Sequence, residues 1–108
     1  MRRSVDDQLL NEVARRILTV VQPDRIILFG SAASGNFSDE SDLDILILEA
    51  KPENTRKERV RISDALRGLG FSCDVLVMET EVFDESKAVI GGLAYPANKY
   101  GRVIYEAA

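Results

Sequence analysis

Asp42 and Asp44 stand two residues apart at the entrance to the apolar run LDILILE, residues 43–49, and Asp74 interrupts a second run, FSCDVLVME, residues 71–79. Side chains alternate across a strand, so Asp42, Asp44, Leu46 and Leu48 share one face, and Leu43, Ile45 and Ile47 the other. Asp74 is in phase with Leu76 and Met78. If the two strands are neighbours, three carboxylates converge. Such a cluster opposes folding by itself, because like charges a few ångströms apart raise one another's pKa. A divalent cation removes that penalty, and carboxylate oxygens suit Mg²⁺ or Mn²⁺ rather than Zn²⁺. Mg²⁺ takes few protein carboxylates and leaves the rest of its shell to water and substrate phosphate. Asp42, Asp44 and Asp74 could hold two such ions, the arrangement used for in-line displacement at phosphorus. The plainer reading of Asp42 and Asp44 is a water-exposed cap at a strand entrance. Asp74 resists that reading, because Cys73 and Val75 on either side are core-like.

A second feature precedes the acids. RIILF, residues 25–29, leads directly into Gly30-Ser31. Glycine lets a chain leave a strand in a tight bend and lets backbone approach a ligand closely. If Ser31 opens a helical turn, the free N–H groups of Ser31, Ala32 and Ala33 form an anion site, with the Ser31 hydroxyl as a further donor. That arrangement would cradle nucleotide phosphates while the acids hold their metals. Neither a Walker A loop nor a dinucleotide fingerprint is present, since no Gly-Lys-Ser/Thr follows and the G-x-G-x-x-G spacing is missing. Taken alone, Gly-Ser after a strand is usually a plain turn.

Together these residues form a longer pattern: Gly30-Ser31, ten residues, Asp42-Leu43-Asp44, then Asp74. The pattern resembles the G-S-x10-D-x-D signature of DNA polymerase β-like nucleotidyltransferases, above all the minimal nucleotidyltransferase (MNT) group, often paired with HEPN-domain proteins in toxin–antitoxin systems. The likeness extends over about residues 5–106 and includes the closing GRVIYE. It implies that Asp42 and Asp44 ligate both metals, that Asp74 completes one and helps activate an acceptor hydroxyl, and that Gly30 and Ser31 bind triphosphate. It departs at Ala32 and Ser34, where family members often carry arginine, which bears on the strength of triphosphate binding or on its division between this chain and a partner.

The elements that must position these residues can be read from the pattern. Residues 4–21 predict a helix, opened by a capping box of Ser4 and Asp7, striped by Val5, Leu9, Val13 and Ile17, and ended by Pro23. Strands follow at 25–29, 43–49 and 71–79, with a helical turn near 31–37 and a polar loop at SDES. Thr55 and Glu58 form a second capping box, opening a basic helix to about Leu69 that Gly68 and Gly70 stop. Residues 81–93 predict a helix and 102–106 a last strand. The order is that of an α/β (α+β) fold: a mixed sheet of about four strands with helices packed on it.

Composition bounds the rest. The 108 residues suit one domain, 1–108, with one core. A net charge of −4 argues against a general nucleic-acid grip. The basic run RKERVR, residues 56–61, could touch phosphate or an acidic partner, although a solvated helix face is the plainer reading. No run is long enough for a membrane span and no h-region marks a signal peptide, so the cytoplasm is expected. Cys73 reads as inert core. Tyr95, Tyr100 and Tyr105 read as packing or interface residues, and Phe29 and Phe37 as core. The chain has no histidine, so its chemistry must run on carboxylates, hydroxyls and bound ions.

The expectation is a Mg²⁺-dependent nucleotidyltransferase moving a nucleoside monophosphate from an NTP, ATP foremost, onto an acceptor hydroxyl, with a small HEPN protein as the first candidate acceptor. A binding subunit of antitoxin type with a vestigial site is the rival. An aminoglycoside-type enzyme would need an acceptor pocket from a partner or a homo-oligomer, because nothing in the chain is left to build one.

Overall fold

The computed structural model describes residues 6–30, 42–92 and 94–108. Eight elements follow one another along these residues: α1 (Asp7–Leu18), β1 (Arg25–Phe29), β2 (Leu43–Glu49), α2 (Thr55–Ala65), β3 (Cys73–Glu79), α3 (Thr80–Ser86), α4 (Ala94–Tyr100) and β4 (Arg102–Glu106). The four strands form one sheet in the order β3-β2-β1-β4. β1 runs antiparallel to both β2 and β4, while β2 and β3 are parallel. A parallel pair needs a crossover, and α2 supplies it.

Alternation along β2 divides the core in two. Leu43, Ile45 and Ile47 pack against Val13 and Ile17 of α1 and Ile62 of α2. Leu46 and Leu48 turn to the other face, onto Phe83 of α3 and Ala94 and Ala97 of α4. The central strand is therefore covered on both sides, which explains its nearly unbroken apolar sequence. Arg25 fastens α3 to β1: its guanidinium lies 5.4 Å from the centre of the Phe83 ring and 2.7 Å from Asp84.

The helix boundaries differ from expectation in ways that capping explains. Asp6, not Ser4, caps α1, its Oδ1 accepting from Leu9 N–H at 2.9 Å; Ser4 lies outside the described residues. The helix stops at Leu18, short of Pro23. Asn54 rather than Thr55 caps α2, accepting from Lys57 N–H at 3.1 Å, and Thr55 becomes its first helical residue. In both helices a short polar side chain stands at the N-cap, the position that prefers it. The helix expected over 81–93 ends at Ser86, and a separate α4 begins at Ala94. Pro96 is tolerated there because first-turn N–H groups have no helical partner. Gly101 then lets α4 sit close to the sheet: a Cβ would run into the Ala97 carbonyl and lie 2.7 Å from Ile27 Cγ2. The third strand begins at Cys73, two residues later than expected, and β4 matches its expected span. The turn near 31–37, the SDES loop, Ser31, Ala32, Ser34 and Phe37 lie outside the described residues, apart from Asp42 at that segment's edge.

Candidate nucleotide-transfer site

Strand pairing brings the predicted acids together. Asp44, the second residue of β2, lies opposite Asp74, the second residue of β3, and opposite Phe29 of β1 on its other side. Asp44 is half-buried; Asp74 and Asp42, just before β2, are exposed. Burial raises the Asp44 carboxyl above the ordinary carboxylate range, and the charges of Asp74 and then Asp42 push it the same way. Both other acids thus bear on Asp44. Leu76 and Met78, in phase with Asp74, pack toward the same core as Leu46 and Leu48, so the expected shared face is the observed one.

Gly30 closes the other side. Its φ of 71° is left-handed, the region glycine enters without cost. It also makes room for the acid. A Cβ on Gly30 would collide with Asp44 Oδ2 and lie 3.1 Å from Asp44 Cγ. The bend that leaves β1 therefore passes directly over the carboxylate of β2. Ser31 is outside the described residues. Cys73, beside the site, is an inert thiol as expected: burial first, and then Asp42, push its pKa up to about 11.

The donor set can be tested against a divalent cation. Among the described residues no three acidic or thiol side chains stand close enough to form a ready metal nest. The acids nevertheless have the chemistry that such an ion demands: all oxygen, negatively charged, with two of the three carboxylates exposed and both bearing on the third. The residues fit.

Sequence reasoning missed that Phe29 faces Asp44 across the β1–β2 pair. Alternation could not reveal it, because the register of two strands depends on the loop between them.

A four-stranded mixed sheet with helices on both faces and acids at one end of its parallel pair is the nucleotidyltransferase fold. It is shared with a toxin–antitoxin protein crystallised with AMP-PNP, at a TM-score of 0.65 and 17% identity over 91% of this chain and 73% of that one. It is shared also with a structure of a tri-AMPylated Shewanella oneidensis HEPN toxin in complex with MNT antitoxin, at a TM-score of 0.62 and 16% identity over 94% of this chain and 74% of that one. The family model described as "Nucleotidyltransferase domain" matches residues 7–93, and the chain belongs to that family. A curated relative, the "putative protein adenylyltransferase" of Methanocaldococcus jannaschii, is 36% identical over 72 residues, which are 65% of this chain and 72% of the relative. The protein is a nucleotidyltransferase. No helix among its described residues is long and apolar enough to cross a membrane.

Proposed function

We propose that this domain, taken as residues 1–108, transfers AMP from ATP to a hydroxyl on a partner protein, and that Asp42, Asp44, Asp74, Gly30 and Ser31 carry the reaction. One observation carries the reading: Asp44 lies between the Gly30 bend on one neighbouring strand and Asp74 on the other. A phosphate chain resting on Gly30 and Ser31 would place its α-phosphorus beside the acids. The acceptor oxygen attacks that phosphorus, the bond to the β-phosphate oxygen breaks, and pyrophosphate leaves. Asp74, exposed at the edge of the sheet, takes the proton of the acceptor hydroxyl. Asp42, Asp44 and Asp74 would hold Mg²⁺, two ions in the full arrangement and with Mn²⁺ as a substitute, whose chemistry is to neutralise triphosphate charge and orient it. With no histidine in the chain, positioning and charge supply most of the catalysis.

The name of the M. jannaschii relative supports a protein acceptor, and the toxin–antitoxin neighbours suggest a HEPN-type protein as that acceptor. Incubation with ATP, Mg²⁺ and a co-encoded HEPN-type protein should add whole AMP units to the partner, read by mass spectrometry. Asp74→Asn should stop the addition while the complex still forms. A second reading, a binding subunit of antitoxin type working in the cytoplasm without chemistry, is favoured by Ala32 and Ser34 standing where related sequences often carry arginine. It wins if the partner is neutralised equally by the wild type and by Asp74→Asn, with no change in mass.

A further inference from the structure

The outward side of α2 is charged in a way that the fold does not use. Arg56, Lys57, Arg59 and Arg61 are all exposed, and none makes an ion pair among the described residues. Six other cations, Arg15, Arg16, Arg25, Arg67, Lys87 and Arg102, each reach a carboxylate. Arg56 and Lys57 moreover sit in the first turn of the helix, where the macrodipole disfavours positive charge. Val60, 58% exposed, stands among them, and Arg56, Arg59, Val60, Ser63 and Asp64 line a depression of about 360 Å³.

The opposite charge is displayed on the other layer. Glu81 and Glu85, one turn apart on α3, are exposed and unpaired among the described residues, with Val82 beside them at 48% exposure. Asp24, Ala50, Thr80, Glu81, Asp84 and Glu85 line a depression of about 450 Å³. Each helix therefore presents charge around a half-exposed valine, with opposite signs. α2 packs on the face of the sheet that holds α1, and α3 on the face that holds α4. Within one molecule the two surfaces cannot meet.

We propose that a second copy of this chain docks here, α2 of one molecule against α3 of the next, with Arg56 and Arg59 facing Glu81 and Glu85 and Val60 against Val82. A phosphate polymer fits less well, because exposed Glu53 and Asp64 flank the cations and an apolar side chain, Val60, stands among them. The contact is heterologous, so it propagates head to tail rather than closing on itself in one step. Two helix faces bury less than a standard interface, which makes the association weak and dependent on salt.

Sedimentation equilibrium of the full chain tests this. The average mass should rise with protein concentration at about 0.05 M NaCl and fall back toward monomer at about 0.5 M. Arg56→Glu with Arg59→Glu should remain monomeric, as should Glu81→Lys with Glu85→Lys. An equimolar mixture of the two should associate again, since each reversed face then meets its complement. The milder pair Arg56→Gln with Arg59→Gln should weaken association about tenfold and serves if a reversal variant loses its wild-type circular dichroism. A monomer under every condition overturns the proposal, as does association unchanged by reversal or a mixture that fails to restore it. Binding of a single-stranded RNA oligonucleotide to the α2 face of a chain that stays monomeric also overturns it.

Discussion

Glu49 closes β2 on the face that packs against α2, and only 8% of it is exposed. Its Oε2 has no hydrogen-bond partner, and neither has Oε2 of Glu58 on α2. Burial above all, then the hydrogen bond and charge of Glu58, then the charge of Asp24, push the Glu49 pKa from 4.5 up to about 7. The folded state thus holds a proton that the unfolded chain releases. Stability from this group is complete below about pH 4.5, falls as the pH rises toward 7, and is level above it. At about 1.4 kcal/mol per tenfold, the shift corresponds to at most about 3.5 kcal/mol. Glu49→Gln removes the ionisation and offers Glu58 an amide donor. At pH 8 the variant should be more stable than the wild type by up to about 3.5 kcal/mol, or roughly 15 °C in Tm for a domain of this size. At pH 4.5 the two should nearly coincide. Urea denaturation of both proteins between pH 4.5 and 8 measures this, and the difference between them cancels contributions from every other group. Parallel curves across that range, or a variant less stable at pH 8, would refute the claim that burial keeps Glu49 protonated here.

Four further outcomes concern the site. Asp44→Asn should abolish transfer yet raise the metal-free Tm, since it removes a half-buried charge facing Asp74 and Asp42; a lower Tm would contradict the repulsion. Addition of Mg²⁺ should raise the Tm of the wild type by mass action, and Asp42→Asn with Asp44→Asn should erase the rise; an unchanged response would remove these acids as ligands. Gly30→Ala should cost about 1–2 kcal/mol for its left-handed backbone and lower activity further by displacing Asp44, with urea melts and AMP-transfer rates as readouts; wild-type rates would mean that the bend is remote from the chemistry. Ser31→Ala should weaken ATP binding by about 1 kcal/mol in calorimetry, the worth of one neutral hydrogen bond, and leave the response to Mg²⁺ intact.

Strand alternation alone placed Asp44 on the face of Leu46 and Leu48, and the likeness of Gly30-Ser31, Asp42 and Asp44 to the nucleotidyltransferase signature pointed to phosphate chemistry. These are local properties: a period of two and a fixed count of residues survive whatever the rest of the chain does. The strand spans at 25–29, 43–49 and 102–106 were legible for the same reason, since β-branched runs bounded by turn residues need no distant partner to be recognised. Caps were less legible, because Ser4 and Asp6, or Thr55 and Asn54, are chemically equivalent and only the observed hydrogen bonds distinguish them. What tertiary structure alone decided is which residues meet. Asp44 faces Asp74 because α2 returns the chain for a parallel pairing, and it faces Gly30 because β1 is paired in one register rather than its neighbour. Glu49 and Glu58 become a buried pair for a similar reason: α2 folds back over the end of β2. In the sequence they are two ordinary acids nine positions apart, and the raised pKa of Glu49 comes from losing water beside Glu58.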